Sequence, residues 1–361
     1  MEKHAGRHPF DADFLTKGRK AKVMQVVVLA GGIGSRLRPW TSTIPKPLLP
    51  VLDRTLLEHV VSCVPTDLVD EVIVAGGYKV DMIESYFKEH EVDFDVRIVP
   101  EDEPLGTGGA LGNCRDVVSG RFACFNGDIV SSLDAASLLK LHETNGGVGT
   151  LGLWEVEDPT RFGIVGLDDD QRITQFKEKP KPDEVFSNLI NAGSYIFEDD
   201  VFDWMPTGRH SIERDVFPAL AAEGLLNGEA FDGYFIDAGT PEAWGQAVEA
   251  AIAHRRHQTG LLSGSPPSWY ADQASTAIDT QASMTSSMVG RGCSVGSSRI
   301  HMTTLLKHVK VGNGANLEGC LVGEGASVGD GCQLNGVVVD HASLVPANTV
   351  LSGGQWPRID E

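Results

Sequence analysis

The feature of this sequence that most restricts its fold is a glycine repeat near the C-terminus. An aliphatic residue followed by glycine recurs, in several places at six-residue steps, at Val289-Gly290, Val295-Gly296, Val311-Gly312, Val322-Gly323 and Val328-Gly329. One inward aliphatic residue per six-residue step is typical of a hexapeptide β-helix, whose coils are stable only when stacked. We therefore predict a short β-helix over residues 284–361 with these five valines pointing inward. An ordinary glycine-rich meander is the alternative.

The chain before the repeat has a different pattern, in which short apolar runs alternate with segments of helical spacing. The apolar runs lie at 24–30, 71–77, 96–101, 121–128 and 149–156. Alternating strands and helices predict an α/β fold, with a Rossmann-like, mainly parallel sheet covered by helices over residues 24–255. The Ser-, Gly- and Pro-rich stretch 256–283 is predicted to be a linker, and the polar residues 1–23 a disordered tail.

The charge of the chain excludes two classes of partner. A formal net charge of −20 disfavours general binding to nucleic acid or to an anionic membrane, since both require a basic face. The sequence has no apolar run long enough to cross a bilayer, and residues 1–22 lack the apolar middle of a signal peptide, so we expect a cytoplasmic protein. Six scattered cysteines without CxxC spacing indicate reduced packing residues, with a metal site among them as a minor alternative.

A glycine-rich loop followed by cations marks the first candidate site. Gly31 and Gly32 end the first apolar run, where the lack of a Cβ allows a ligand to approach the backbone. Arg36 and Arg38 follow within a few residues, and Lys46 lies between two prolines that stiffen the backbone. Glycines alone would suit a tight turn, and the lysine alone a surface position. Together they indicate a site for a polyphosphate.

The motif "LAGGIGSRLRPWTSTIPKPLLPV" closely resembles the signature loop of the sugar-1-phosphate nucleotidyltransferases, also called sugar-nucleotide pyrophosphorylases. Further motifs appear in the family's order, namely "EDEPLGTGGAL", "FNGDI", "RFGIV", "FKEKP", "NAGSYIF", "SIERDVFP" and "GYFIDAGTPEAW". The resemblance covers about residues 24–250, and several family members also carry a hexapeptide tail. It implies a nucleotidyltransferase domain followed by a short left-handed hexapeptide β-helix.

The resemblance implies an enzyme that joins a sugar 1-phosphate to an NTP, giving an NDP-sugar and pyrophosphate. A phosphate oxygen of the sugar phosphate attacks the α-phosphorus, so the protein supplies positioning and charge. Arg36 is expected on the triphosphate and the departing pyrophosphate, and Lys46 over the phosphates at the reacting centre. The expected nucleotide-binding residues are Leu29, Gly31, Gly32, Gly106 and Thr107.

The resemblance also implies a metal site and a sugar-phosphate site. Asp128 and Asp237 each follow an apolar run, and the family uses these two positions to hold Mg²⁺. Lys179 is expected to bind the phosphate of the sugar phosphate. The expected sugar-phosphate-binding residues are Gly163, Glu178, Lys179 and Asn191, and the expected catalytic residues are Arg36, Lys46, Asp128, Lys179 and Asp237.

Several alternatives stay open at this point. Within the family the motifs look most like those of mannose-1-phosphate guanylyltransferases, which use GTP, but glucose-1-phosphate thymidylyl- and uridylyltransferases share much of the pattern. A catalytically silent regulatory subunit on the same fold is a second hypothesis. A third is an acetyltransferase using His301, His308 or His341, since such enzymes often contain hexapeptide β-helices.

The short β-helix is also expected to mediate contacts. A prism of few coils leaves ends and flat faces that solenoid proteins cap or bury by association. We expect the tail to contact either its own catalytic domain or a second subunit, giving a homo-oligomer. Because all the motifs precede residue 250, its removal is expected to leave the chemistry intact in principle.

Overall fold

The computed structural model describes residues 24–264, 268–272 and 276–358. The predicted N-terminal tail, residues 1–23, lies outside this part of the chain. Among the described residues, no helix is long and apolar enough to cross a membrane.

The N-terminal unit is built around a nine-stranded sheet and two small two-stranded antiparallel sheets. Its strands are Met24–Leu29 (β1), Pro50–Val51 (β2), Arg54–Thr55 (β3), Val69–Gly76 (β4), Asp95–Pro100 (β5), Phe122–Asn126 (β6), Ile129–Ser131 (β7), Gly149–Glu155 (β8), Gly163–Leu167 (β9), Ile173–Glu178 (β10), Leu189–Phe197 (β11), Leu226–Ala230 (β12) and Phe235–Asp237 (β13). The predicted apolar runs correspond to β1, β4, β5, β6 and β8.

Seven α-helices accompany these strands in the described part of the chain. They are Trp40–Thr43 (α1), Leu56–Val61 (α2), Val80–Glu89 (α3), Gly106–Gly112 (α4), Ala135–Asn145 (α5), Phe217–Ala222 (α6) and Pro241–Ala253 (α7). Two apolar clusters form the core. One contains Val27, Ile73 and Phe122, and the other contains Val26, Val28 and Val72. The alternating valines of β1 thus enter both clusters, as expected for a strand covered on both faces.

The main sheet is parallel in one half and mixed in the other. Its main path runs β10-β9-β11-β6-β1-β4-β5, and β12 pairs with β8, which pairs with β11. Strands β6, β1, β4 and β5 are mutually parallel, as predicted. Strand β11 instead pairs antiparallel with β6, β8 and β9, and β9 with β10. The short connection between β9 and β10 permits only an antiparallel pair, since a parallel pair needs a long crossover.

The C-terminal unit is a prism of three β-sheets. Its strands are Leu261–Ser263 (β14), Trp269–Ala271 (β15), Ala277–Ile278 (β16), Ser283–Thr285 (β17), Ser287–Val289 (β18), Ser294–Val295 (β19), Arg299–His301 (β20), Thr304–Leu305 (β21), Lys310–Val311 (β22), Asn316–Glu318 (β23), Leu321–Val322 (β24), Ser327–Val328 (β25), Gln333–Asn335 (β26), Val338–Val339 (β27), Leu344–Val345 (β28), Val350–Ser352 (β29) and Gln355–Trp356 (β30).

From β15 onward every third strand pairs in parallel, so each coil contributes one strand to each sheet, whereas β14 pairs antiparallel with β15. This arrangement is the hexapeptide left-handed β-helix that the repeat predicts. The predicted inward valines, Val289, Val295, Val311, Val322 and Val328, all lie in its buried core. Strands β15, β16 and β17 already belong to the stack, because they pair with β18, β19 and β20. They lie in or next to the segment predicted as a linker, residues 256–283.

The β-helix packs against its own catalytic domain. Outward-facing Met288, Leu306, Leu321 and Val338 of the β-helix share one buried cluster with Trp244 of α7 and its neighbours. The same cluster contains Leu37, Trp40 and Leu49, from the segment that carries the predicted cations. The contact expected between the tail and its own catalytic domain is therefore present, and it reaches the edge of the candidate site.

Candidate active site

A cleft of about 380 Å³ opens at the carboxyl edge of the parallel half of the sheet. Strands β1, β5 and β6 end at this edge, where open α/β sheets bind ligands. The cleft is lined by Leu29, Ala30, Gly31, Gly32, Lys46, Pro47, Glu101, Pro104, Gly106, Thr107, Ala110, Asn126, Gly127 and Asp128. All five residues predicted to bind the nucleotide line this cleft, together with Lys46 and Asp128.

Close backbone packing explains the glycines around the cleft. A Cβ on Gly77 would lie 2.5 Å from the carbonyl oxygen of Glu101, and one on Gly76 would lie 2.8 Å from that of Ala30. Gly31 faces the Glu101 side chain, whose Oε1 would be 3.3 Å from an added Cβ. Beside Gly32 the space is open, with no atom within 4 Å of such a Cβ. A ligand therefore has direct access to the Gly31–Gly32 backbone.

The two predicted cations, Arg36 and Lys46, approach the cleft from short 3₁₀ turns, Ser35–Leu37 and Lys46–Leu48. The side chain of Lys46 is only 8% exposed, and its Nζ donates to Oδ2 of Asp128 at 2.9 Å. The exposed Arg36 lies over Gly239, where an added Cβ would be 2.5 Å from Nη2 of Arg36. The structure thus brings both cations to the pair of aspartates.

Asp128 and Asp237 are brought together by the antiparallel pairing of β7 with β13. Asp237 pairs with Ile129, the residue after Asp128, and the N–H of Ala238 donates to the carbonyl of Asp128 at 2.9 Å. Burial raises the pKa of Asp237, the charge of Asp128 raises it further, and Lys46, Arg36 and Arg161 oppose the shift. Oδ1 of Asp237 is buried without a hydrogen-bond partner among the described residues.

These two aspartates have the properties of a cation site. Two neighbouring carboxylates, one of them with an orphaned buried oxygen, form an oxygen-rich position that a hard divalent cation would neutralise. No cluster of three or more His, Cys, Asp or Glu residues suited to a metal occurs in the described chain, so the remaining ligands would come from substrate phosphates and water.

The second glycine motif shapes the other wall of the cleft. Gly106 has a φ of 75°, and a Cβ there would lie 2.5 Å from the carbonyl oxygen of His210. Thr107 donates from Oγ1 to Oε2 of Glu213 at 2.6 Å, and its Oγ1 accepts the N–H of Ile212 at 3.1 Å. The motif therefore packs against the chain segment that follows residue 210, and the side chain of Thr107 is oriented by the carboxylate of Glu213.

The predicted sugar-phosphate residues lie on β9, β10 and β11, except Lys179, which directly follows β10. Gly163 pairs with Glu178, and a Cβ on Gly163 would lie 2.9 Å from Oε2 of Glu178. Lys179 has an exposed side chain with its Nζ 3.5 Å from Oε1 of Glu178. Burial raises the pKa of Glu178, and the charge of Glu213 adds to this shift. Since Glu213 also holds Thr107, the sugar-side residues adjoin the nucleotide cleft.

Asn191 is oriented by its own strand. Its Nδ2 donates to the hydroxyl of Tyr195 at 2.9 Å, and its Oδ1 accepts the N–H of Gly193 at 3.0 Å. Gly193 has a φ of 64°, and an added Cβ would be 2.5 Å from Nδ2 of Asn126, at the end of β6. This close approach places the start of β11 beside the cleft.

Sequence reasoning missed Glu101, Asn126, Glu213 and Arg161. Glu101 is only 9% exposed, yet its Oε1 has no hydrogen-bond partner in the described structure and its side chain lines the cleft. Its position at the head of "EDEPLGTGGAL", directly after an apolar strand, was a usable signal. Glu213 and Arg161 lie in quoted motifs, but only the fold shows that they approach Thr107 and Asp237.

Comparisons with known proteins identify the families that the two domains match. Residues 25–253 match the model of the nucleotidyl transferase family, and residues 267–355 match that of the GlmU-like C-terminal hexapeptide. Mannose-1-phosphate guanylyltransferase of Mycobacterium tuberculosis is 34% identical, covering 86% of this chain and 82% of its own. The mannose-1-phosphate guanylyltransferase catalytic subunit beta of Danio rerio is 30% identical, covering 93% of this chain and 99% of its own.

Two solved structures resemble the catalytic domain. HddC from Yersinia pseudotuberculosis complexed with GMP-PN has a TM-score of 0.52 at 30% identity, covering 63% of this chain and 99% of its own. A putative glucose-1-phosphate thymidylyltransferase from Bacillus anthracis has a TM-score of 0.57 at 26% identity, covering 66% of this chain and 98% of its own. On the sequence motifs, the fold and these matches, the chain belongs to the nucleotidyl transferase family and carries a GlmU-like hexapeptide domain at its C-terminal end.

Proposed function

We propose that this chain joins mannose 1-phosphate to GTP, giving GDP-mannose and pyrophosphate. The relatives named as mannose-1-phosphate guanylyltransferases align over both domains and support this choice of substrates. The observation that carries it is the buried carboxylate of Glu101, which lines the cleft with an unpartnered oxygen.

Glu101 favours guanine over the other nucleobases. Guanine presents two adjacent donors, N1–H and the exocyclic amino group, and an ionised carboxylate only accepts hydrogen bonds. Uracil and thymine present carbonyl oxygens on both sides of a single N–H. Their carbonyl oxygens would therefore face the carboxylate of Glu101, which also only accepts hydrogen bonds. Adenine has an acceptor at N1. A buried group left unpaired or opposed in this way gives strong discrimination between substrates.

The remaining side chains supply positioning and charge for an in-line displacement. A phosphate oxygen of mannose 1-phosphate forms the new bond to the α-phosphorus of GTP, and the bond to the pyrophosphate leaving group breaks. We assign Lys46 to the negative charge at the reacting centre, and Arg36 to the triphosphate and the departing pyrophosphate. Lys179 is assigned to the phosphate of the sugar phosphate, and Glu178 and Asn191 to its hydroxyls.

Mg²⁺ is the cofactor that suits the aspartate pair. Asp128 and Asp237 would hold it, and when bound it neutralises charge on the phosphates. The ion pair between Lys46 and Asp128 shows that one of these carboxylates already accepts a cationic partner. Glucose-1-phosphate thymidylyl- or uridylyltransferase activity is the alternative, and the similarity to the Bacillus anthracis protein is the observation that favours it.

A panel of four NTPs against mannose 1-phosphate and glucose 1-phosphate, assayed by pyrophosphate release, tests this proposal. We expect the highest kcat/KM with GTP and mannose 1-phosphate. Preference for UTP or dTTP would favour the alternative activity. Absence of turnover with every pair would instead support a catalytically silent regulatory subunit.

We also propose a cytoplasmic homo-oligomer assembled through the β-helix. All six cysteines are free and buried, which suits a reducing compartment. The last coil exposes two large aliphatic side chains, Leu344 at 67% and Val350 at 74%. Light scattering should give a mass above that of one chain, and Leu344→Asp together with Val350→Asp should lower it. A monomeric wild-type protein at micromolar concentration would contradict the assembly.

A further inference from the structure

The segment that carries the cations of the site is attached to the β-helix. Trp40, four residues after Arg36, is fully buried, and its indole Nε1 donates to the backbone carbonyl of Val339 in β27 at 3.0 Å. The ring of His341 lies 6.2 Å from that of Trp40, measured between centroids. This hydrogen bond joins positions separated by 299 residues in sequence. It connects the loop after β1 directly to a coil of the C-terminal domain.

Arg36 depends on this backbone for its position. Within the described chain, its guanidinium forms neither an ion pair nor a hydrogen bond, and its side chain is exposed above Gly239. The turn that carries it is fixed by buried Leu37 and by the hydrogen bond from Oγ1 of Thr41 to the carbonyl of Gly34, at 2.8 Å. The conformation of the main chain therefore sets the position of Arg36. The hydrogen bond from Trp40 to Val339 stabilises this stretch of main chain.

We propose that the β-helix positions the active-site cations, with Trp40 and strand β27 as the positioning elements for Arg36. The described residues of the β-helix give no side chain to the cleft, whose lining residues all precede position 129. Its contribution to the reaction is geometric, because a small displacement of a phosphate-binding group lowers the rate steeply. This inference rests on the proposed function, since it is measured through the kinetics of the NTP.

The first test removes the hydrogen bond and keeps an aromatic ring. Trp40→Phe should raise KM for GTP and lower kcat, reducing kcat/KM for GTP about tenfold, while KM for mannose 1-phosphate changes less than about twofold. Trp244→Phe is the matched control. Trp244 is also fully buried in the same interface cluster, but its Nε1 has no hydrogen-bond partner among the described residues. We expect this control to retain the wild-type KM for GTP.

The second test substitutes residues of the β-helix, which do not line the cleft. Val338 faces the catalytic domain, whereas its neighbour Val337 faces the interior of the coil, and both are buried. Val338→Ala and Val337→Ala remove the same two methyl groups. Both should lower the melting temperature, but only Val338→Ala should raise KM for GTP.

Two results would overturn the inference. One is a Trp40→Phe enzyme whose KM for GTP equals that of Trp244→Phe. The other is a Val338→Ala enzyme that is kinetically equal to Val337→Ala. Failure of the proposed function is recognised separately, because the wild-type protein would then not turn over GTP with mannose 1-phosphate at all.

Discussion

At the scale of single residues, the two aspartates of the site differ in whether a cation neutralises their charge. Asp128 is paired with buried Lys46, whereas Oδ1 of Asp237 is buried with no hydrogen-bond partner in the described part of the chain. Burial, and then the charge of Asp128, raises the pKa of Asp237 in the folded protein. A raised carboxyl pKa means that the folded state binds the proton more tightly than the unfolded state. Asp237 therefore costs stability above its folded pKa, and the cost declines as pH falls below that value until it vanishes below the pKa of the unfolded state.

This difference predicts thermal shifts of opposite sign in the absence of divalent cations. At neutral pH in EDTA, Asp237→Asn should melt above wild type, and the gap should close as the pH falls. Asp128→Asn should melt below wild type, because it leaves the ammonium of Lys46 buried without its counter-ion. Added Mg²⁺ should stabilise wild type only, and both variants should lose orders of magnitude in turnover. Scanning calorimetry measures the shifts, and a lower melting temperature for Asp237→Asn in EDTA would contradict this assignment.

Glu101 allows a second prediction, on nucleobase choice. Glu101→Gln removes the charge and introduces a donor, so kcat/KM for GTP should fall about 10- to 100-fold while that for UTP rises. Glu103→Gln is the control, since Glu103 is an exposed carboxylate two residues away. Steady-state pyrophosphate release measures both ratios. Equal losses with GTP and UTP would show that Glu101 does not read the base.

At the scale of elements, helix α4 contains a tightly packed glycine, Gly108, and a glycine with free space beside it, Gly112. A Cβ on Gly108 would overlap the His210 ring and lie 2.9 Å from the backbone nitrogen of Ile212, whereas one on Gly112 would have nothing closer than 3.9 Å. Gly108→Ala should therefore cost about 1–3 kcal/mol of folding free energy and raise KM for GTP, because the helix carries Thr107. Gly112→Ala should be neutral or stabilise by about 0.5 kcal/mol. Urea unfolding measures both, and equal effects would refute this packing argument.

The apolar pattern of the sequence predicted the positions of strands better than it predicted which strands pair with each other. Apolar runs identify β1, β4, β5, β6 and β8, because a buried strand needs no partner information to be recognised. The antiparallel pairing of β11 depends on contacts far apart in sequence, so no local pattern reveals it. The same limit applies to Glu213, whose hydrogen bond to Thr107 spans 106 positions. Arg36, Lys46, Asp128 and Asp237 could be proposed from the sequence because each lies within a recognisable motif.

At the scale of the whole molecule, the two domains share a buried apolar cluster and the Trp40–Val339 hydrogen bond. The sequence alone led us to expect that the chemistry survives removal of the tail, since every motif precedes residue 250. The interface argues against that expectation. A chain truncated after residue 255 would expose Leu37, Trp40 and Leu49 to water and release the segment that carries Arg36.

Truncation should therefore remove most of the turnover as well as lower the melting temperature. We expect kcat/KM for GTP to fall more than about tenfold, with increased binding of a hydrophobic dye. A truncated protein that stays monodisperse and retains near-wild-type turnover would show that the β-helix serves assembly alone.

The central claim is that the cleft transfers a guanylyl group to mannose 1-phosphate, and one competition reaction tests it most directly. Full-length protein is incubated with Mg²⁺, mannose 1-phosphate and equal concentrations of GTP, ATP, UTP and dTTP, and the products are identified by mass spectrometry. Because internal competition reports the ratios of kcat/KM, one mixture ranks the four nucleotides. We predict GDP-mannose as the dominant nucleotide sugar, with pyrophosphate formed in equal amount. A dominant UDP- or dTDP-linked hexose, or no nucleotide sugar at all, would contradict the account.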